Sequence, residues 1–231
     1  MTLRDSLIAT IVPIFLGFGF VIAKPAMEHL PPFLLMGLRF TFVASLLIWW
    51  FPIPKGYLRN IFFVSLIANT LQYSITYTGL SLIDASAAVL LVQTEVPFGV
   101  LFAYFMLKEK PKIRSLIGIT IAFIGVYILT GSPNLDGKFF GISLVIIGSG
   151  IWALGQVLVK PISKAINPLA LVAWLGLFSG PILIGLSAVF DGNPINYFKS
   201  APLEAWMIAV YLGFVMPVSY THLTLPTICS V

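Results

Sequence analysis

The sequence predicts an all-α fold, a polytopic bundle of membrane helices, from its composition and from the length of its apolar runs. Of the 231 residues, 59% are hydrophobic and 9% are charged, and the mean hydropathy is +1.03. A soluble domain carries about 25% charged residues, so this chain cannot cover itself with a solvated surface. This excludes an ordinary soluble enzyme or a nucleic-acid-binding protein. The net charge of +5 is then assigned to cytoplasmic loops.

Apolar runs as long as a membrane span occur seven times, and an eighth begins near the end of the chain. A spanning helix needs about 20 mostly apolar residues, and within lipid a helix satisfies its own backbone hydrogen bonds. The first run is longer than the apolar region of a signal peptide and lacks a cleavage signal, so we interpret it as a retained span. The predicted spans are residues 6–23, 33–51, 60–83, 85–107, 115–135, 139–159, 165–190 and the shortened 205–216.

Basic residues in the loops predict the orientation. With a cytoplasmic N-terminus, nine basic residues lie inside and three lie outside, and such an excess marks the cytoplasmic side. The sequence therefore predicts a multi-pass protein of the inner (cytoplasmic) membrane with its N-terminus in the cytoplasm. The inner residues are Arg4, Lys55, Arg59, Lys108, Lys110, Lys112, Arg114, Lys160 and Lys164, and the outer ones are Lys24, Lys138 and Lys199.

An internal repeat relates two parts of the chain that lie 136 residues apart. Residues 16–35 align with 152–171 at six identities, where composition alone gives roughly one or two. Both copies read as a helix ending in Lys-Pro, a short loop, and a proline that opens the next helix. Five spans separate the copies, and an odd number turns the second copy over in the membrane. This predicts inverted-topology repeats, typical of secondary transporters, over residues 1–131 and 137–216. The alternative is a chance similarity of two helix-turn-helix segments.

The C-terminal segment, residues 217–231, is expected to be non-native. Its last fourteen residues resemble a translated transposase sequencing adapter, so we exclude the segment from the fold prediction. It contains the single cysteine, Cys229, and one of two histidines, His222. The rest of the chain then offers no thiol chemistry and only His29 as a metal-ligating imidazole, so we expect neither a metal site nor a cofactor.

Several motifs resemble those of a known transporter family, the EamA-type branch of the drug/metabolite transporter superfamily. They are residues 30–40 (LPPFLLMGLRF), 84–98 (DASAAVLLVQTEVPF), 107–109, 117–118 with 124–126, 152–153, Lys160 and 211–213. The resemblance implies ten helices in two inverted five-helix repeats, of which this sequence supplies seven full helices and part of an eighth. It also implies the export of small metabolites, among them amino acids.

Glu95 is the most informative polar residue, because it is predicted near the centre of span four. A charged residue at that depth costs about 2.5–3.5 kcal/mol and is normally buried, paired or neutralised. It shares a stripe of small residues with Ala88 and Gly99, which would allow close approach of a helix or a ligand. Glu95 is either a substrate-amine contact or proton-coupling carboxyl, or a structural carboxyl that holds helices together.

Span three offers a polar face that is either a cavity lining or a contact between helices. Its residues share one helix face through i, i+3, i+4 and i+7 spacing: Asn69, Gln72, Tyr73 and Thr76. The resemblance implies that helices three and four line the central cavity, which favours the first reading. The repeat pairs Gln156 with Phe20, and this asymmetry would suit a substrate with a charged backbone and an apolar side chain. The predicted substrate-binding residues are Glu95, Gln93, Asn69, Gln72, Tyr73, Thr76, Gln156 and Phe20.

Arg39 and the glycines were assigned mainly structural roles. Arg39 is expected to snorkel to the outer surface or to pair with an acid such as Asp84. Glycines recur at spacings typical of helix-contact faces, with hinges as the alternative. They are Gly118 and Gly125, then Gly141, Gly148 and Gly155, and the GxxxG pair Gly176 and Gly180.

The function predicted from these features is a secondary transporter that exports amino-acid-like metabolites by alternating access within the lipid bilayer. The sequence leaves proton coupling open. An intramembrane enzyme is the alternative, but no HExxH or GxSxG motif is present, so we predict a non-enzyme. A channel would need a repeated filter or a charged ring, and neither is visible.

Overall fold

A computed structural model describes residues 17–108, 111, 113–130 and 136–223, with side chains described as far as Phe214. The described residues are helices joined by short loops and contain no strand, which confirms the all-α class. A π-helical turn, Ser65–Leu71, joins α3 to α4. The helices are α1 (17–26), α2 (Pro32–Leu47), α3 (Leu58–Val64), α4 (Gln72–Leu82), α5 (Ala85–Val92), α6 (Glu95–Leu107), α7 (Ile113–Thr130), α8 (Phe139–Ser163), α9 (Pro168–Phe190), α10 (Pro194–Ser200) and α11 (Leu203–Leu223).

Four helical segments of the described chain are long and apolar enough to cross a membrane. They are Pro32–Trp50, Ala85–Leu107, Phe139–Ser163 and Pro168–Phe190, and each coincides with a predicted span. The apolar parts of α7 and α11 are shorter, and most of the first predicted span lies outside the described residues. The chain is thus a multi-pass helical membrane protein, while the count of seven spans and part of an eighth stays a prediction.

Prolines begin the two helices that the repeat predicted to be equivalent. Pro32 stands in the first turn of α2, and Pro168 in the first turn of α9. Proline suits this position because its missing N–H would have no partner inside the helix. The Asn167 side chain caps α9 by accepting a hydrogen bond from the Leu169 backbone N–H at 2.9 Å.

Apolar side chains cover much of the outer surface, as a lipid environment requires. Phe105, Ile121 and Val189 are exposed, and Trp49 at the end of α2 is 87% exposed. Tryptophans concentrate where the hydrocarbon meets the headgroups, so Trp49 and Trp50 are placed to anchor this end of α2.

Glycines allow α8 and α9 to pack closely, and antiparallel, against earlier helices. A Cβ added to Gly155 would lie 2.9 Å from the Cα of Ala68, and one added to Gly141 would lie 2.7 Å from the Ile83 side chain. Gly148 faces Thr76 in the same interface. The predicted contact face of α8 is therefore confirmed.

Gly176 and Gly180 confirm the second predicted contact face, because they pack α9 against α2. A Cβ on Gly180 would lie 3.0 Å from the Thr41 backbone nitrogen. The prediction is wrong for Gly118 and Gly125. No described atom lies within 4 Å of a Cβ added at either position, so α7 has no close glycine contact in the described chain.

Candidate functional site

A cavity of ≈ 100 Å³ lies between α1, α2, α4, the junction of α5 and α6, and α8. This volume holds several water molecules, so a small metabolite fits within it. Six of the eight predicted binding residues line the cavity: Phe20, Gln72, Tyr73, Thr76, Gln93 and Glu95. The other lining residues are Gly17, Arg39, Tyr77, Val89, Val92, Ser149 and Trp152.

The fourth predicted span is a broken helix, and Glu95 lies at the break. α5 ends at Val92, and α6 begins at Glu95 after a tight turn. Pro97 explains the interruption, because proline lacks an N–H and its ring clashes with the carbonyl four residues earlier, that of Gln93. The Thr94 hydroxyl supports the turn by donating to the Leu91 carbonyl at 2.7 Å.

The break places the Glu95 side chain beside the cavity at the N-terminus of a helix. A carboxylate is favoured there by the helix dipole. Beyond the turn, the predicted stripe of small residues makes no close contact at Gly99, since no described atom lies within 4 Å of a Cβ added there. Discontinuous helices whose ends face a central site are characteristic of secondary transporters.

The π-helical turn before α4 separates Asn69 from the other polar residues of span three. A π turn contains an extra residue, so the i, i+3, i+4, i+7 spacing that predicted one shared face does not hold across it. Asn69 instead lies against α9, where its Nδ2 donates to the Ser179 hydroxyl at 3.4 Å. Asn69 thus makes a contact between helices rather than lining the cavity.

Gln72 and Thr76 form the polar wall that α4 presents to the cavity. The Gln72 Nε2 donates to the Thr76 hydroxyl at 3.0 Å. The Gln72 Oε1 is buried and has no hydrogen-bond partner among the described residues. Burying an amide oxygen without a hydrogen-bond partner costs desolvation free energy. A donor that enters the cavity could recover that free energy by binding to the Gln72 Oε1.

Arg39 lies inside the protein, and its predicted snorkelling is wrong. The residue is 5% exposed, and its guanidinium carbon stands 4.9 Å from the ring centre of Tyr73 and 5.4 Å from that of Phe40. Every residue from 34 to 40 of α2 is buried. Within the described part of the chain, the Arg39 side chain therefore has no lipid-facing path along α2 to the surface. The alternative partner is also wrong, because the Asp84 carboxylate binds Lys138 Nζ at 3.2 Å.

Aromatic rings form the remaining wall of the cavity. Tyr73 lies 5.7 Å from Tyr77 and 6.1 Å from Trp152 between ring centres, and Phe20 stacks on Tyr77 at 5.8 Å. Gln156 is not one of the lining residues. It lies one helical turn further along α8 than Trp152, past the end of the cavity. Four of the lining residues were not predicted from the sequence: Arg39, Tyr77, Ser149 and Trp152. The i, i+4 spacing of Tyr73 and Tyr77 was a usable signal for Tyr77.

This fold and this cavity define a class, the polytopic helical membrane proteins with a polar cavity between their helices. Comparison with known proteins identifies the family. The chain matches the model of the EamA-like transporter family over residues 5–131, more than half of its length, and it belongs to that family. It is therefore a transporter of the EamA type, as the motifs predicted.

Individual relatives are more distant. The chain is 27% identical over 224 residues to a probable amino-acid metabolite efflux pump of Escherichia coli, covering 93% of this chain and 75% of the relative. It is 30% identical over 190 residues to a probable amino-acid metabolite efflux pump of Salmonella typhimurium, covering 79% and 62%. An uncharacterized transporter of Clostridium kluyveri is 30% identical over 174 residues, covering 71% and 53%. No solved structure matches the chain.

Proposed function

We propose that this chain forms part of a secondary transporter that exports amino-acid-like metabolites across the inner membrane. The observation that carries the proposal is a cavity inside a helical bundle where Glu95, at a helix break, faces amides and aromatic rings. The names of two relatives, both probable amino-acid metabolite efflux pumps, support the substrate class. Transport without chemical conversion of the substrate follows from this proposal, so the protein is not an enzyme.

Each part of the cavity has a proposed role in holding such a substrate. Glu95 binds the substrate ammonium group, and the Gln72 and Gln93 amides bind its other polar atoms. Phe20, Tyr73 and Thr76 enclose the side chain. The alternative role for Glu95 is that of a proton-coupling carboxyl, and the two roles predict different responses to pH. Asn69 and Gln156 act outside the cavity, in the packing around it.

Alternating access requires two halves that rock against each other, and we propose the inverted repeats 1–131 and 137–216 for this role. The 136-residue shift makes α2 equivalent to α9, and Phe40 equivalent to Gly176. These helices pack antiparallel, and a Cβ on Gly176 would lie 3.0 Å from the Phe40 carbonyl oxygen. Contact between a residue and its own equivalent is what a two-fold relation requires at its axis, and it supports the inverted repeat. The second proposed repeat ends at residue 216, whereas the backbone of α11 continues as a helix to Leu223.

A counterflow assay tests the proposed function. The protein is reconstituted into liposomes preloaded with unlabelled L-leucine, and the entry of labelled L-leucine is followed. We expect saturable entry that internal leucine accelerates, because a carrier returns faster when loaded. Flux that does not saturate would indicate a channel, and conversion of leucine detected by mass spectrometry would indicate an enzyme. Absence of counterflow with every standard amino acid would refute the amino-acid proposal.

The proposed orientation gives a separate prediction. In a Cys229→Ser background, Asp136→Cys is expected to react with a membrane-impermeant maleimide in intact cells, and Lys55→Cys is expected to be protected. Both positions are exposed in the structure, so reactivity reports the side of the membrane rather than burial. Permeabilised cells, in which both cysteines should react, provide the control. The reverse pattern in intact cells would place the N-terminus outside.

A further inference from the structure

Arg39 is a buried cation at the cavity for which neither the proposed transport function nor the comparisons assign a role. We propose that the Arg39 guanidinium binds the substrate carboxylate while Glu95 binds the substrate ammonium group. The cavity then selects zwitterionic amino acids over amines and over simple carboxylic acids. This inference rests on the proposed function and adds to it the group that recognises the acid end of the substrate.

Arg39 has no counter-ion within the described chain. The ion pair found among the described residues joins Lys138 to Asp84, so neither Arg39 nor Glu95 has an opposite charge within 4.0 Å. A charge inside a membrane protein is costly and is normally paired, or faces a site that an ion or substrate enters. Arg39 and Glu95 both line the same cavity, so an entering molecule meets both charges.

The neighbours of Arg39 hold its guanidinium group in place. The rings of Tyr73 and Phe40 lie against it. Arg39 Nη1 lies 3.8 Å from the Met36 sulfur, a weak acceptor. These contacts fix the group without neutralising it, and the buried Nε has no hydrogen-bond partner among the described residues. A fixed guanidinium with free donors is suited to binding a carboxylate through two parallel hydrogen bonds.

The cavity is chemically complementary to an amino acid. Gln72 Oε1 is a hydrogen-bond acceptor without a partner among the described residues, and Arg39 Nε is a donor without one. Phe20, Val92 and Trp152 line the apolar part of the space. A small molecule with a carboxylate, an ammonium group and an apolar side chain would meet a matching group at each of its three parts.

Three compounds of similar shape separate the two charged contacts. L-leucine carries both groups, L-leucinamide lacks the carboxylate, and 4-methylpentanoate lacks the amine. Dissociation constants are obtained from the ligand-dependent thermal stabilisation of the purified full chain, at neutral pH where both amines are largely protonated. Wild-type protein is expected to bind leucine more tightly than either analogue.

Arg39→Gln is expected to weaken the binding of leucine by about 30-fold or more, and to weaken 4-methylpentanoate in proportion. Its affinity for leucinamide should stay within about threefold, because that contact never involved Arg39. Arg39→Lys keeps the charge without the planar fork, so its leucine affinity should lie between those of wild type and Arg39→Gln. Arg59→Gln is the matched control, since Arg59 also lies against an aromatic ring, Phe63, but is exposed and outside the cavity.

An equal loss of affinity for all three compounds would assign Arg39 a structural role and overturn the inference. Unchanged leucine affinity in Arg39→Gln would also overturn it, and the proposed function would stand if counterflow persists. If Arg39→Gln does not fold, the comparison of Arg39→Lys with wild type decides, and an unchanged ratio of leucine to leucinamide affinity rejects the inference. Wild-type protein that binds leucinamide as tightly as leucine rejects it as well. Failure of the wild-type protein to bind leucine at all overturns the inference and, together with absent counterflow, the proposed function.

Discussion

Replacing Glu95 with glutamine is expected to weaken leucine binding by about 30-fold, with transport affinity reduced at every pH. Glutamine preserves the size of the side chain and its hydrogen-bonding capacity but removes the negative charge. Loss of one partner from a desolvated charge pair costs about 2–5 kcal/mol, and about 2 kcal/mol corresponds to that factor. The reduction should extend to L-leucinamide and spare 4-methylpentanoate, the reverse of the pattern expected for Arg39→Gln.

The pH profile of counterflow distinguishes the two functional roles of Glu95. If the carboxyl couples protons instead, Glu95→Gln should retain leucine affinity and lose the pH dependence of transport. Glu204→Gln is the control, because Glu204 is an exposed carboxylate at the start of α11 and is remote from the cavity. Wild-type affinity together with a wild-type pH profile in Glu95→Gln would leave Glu95 with a structural role only.

The sequence predicts those features of the fold that depend on composition and periodicity. The span boundaries follow from the length of apolar runs. The close approach of α8 to α4 and to the π-helical turn before it follows from Gly141, Gly148 and Gly155, which recur every seven residues. Six of the residues that line the cavity were among those predicted from the sequence. A polar side chain at membrane depth must face protein or a cavity, so Glu95 and Gln72 stand out from an apolar background.

The remaining features depend on local backbone geometry that a periodic pattern does not encode. The π turn before Gln72 changes which residues share a face, and no residue type in Ser65–Leu71 requires such a turn. The prediction that Arg39 snorkels was wrong because snorkelling depends on whether a lipid-facing path leads from the side chain to the membrane surface. That path is closed by α4, α9 and α11, which come from distant parts of the sequence. Pro97, by contrast, could have predicted the helix break at Gln93, because proline geometry interrupts a helix at that position. The position of Glu95 at the break follows from it.

The interface between α8 and the π-helical turn before α4 provides the second large expected effect, on stability rather than on binding. Gly155→Ala is expected to destabilise the folded protein, because the added Cβ would lie 2.5 Å from the Cβ and 2.9 Å from the Cα of Ala68. The backbone of one helix must move to accommodate it, and such overpacking costs about 1–3 kcal/mol. The better helix propensity of alanine returns at most about 1 kcal/mol.

Gly150→Ala is the matched control, because it makes the same chemical change in the same helix where there is room for it. A Cβ at Gly150 would lie 3.7 Å from the Phe98 ring, an ordinary contact. The free energy of unfolding, measured by denaturant titration in detergent micelles, should be unchanged or slightly higher for Gly150→Ala and lower by about 2 kcal/mol for Gly155→Ala. Displacement of α8 would also move Ser149 and Trp152 away from the cavity, so leucine affinity should fall in Gly155→Ala alone. Equal stability of the two variants would show that α8 and the π-helical turn do not approach each other as closely as the glycine face indicates.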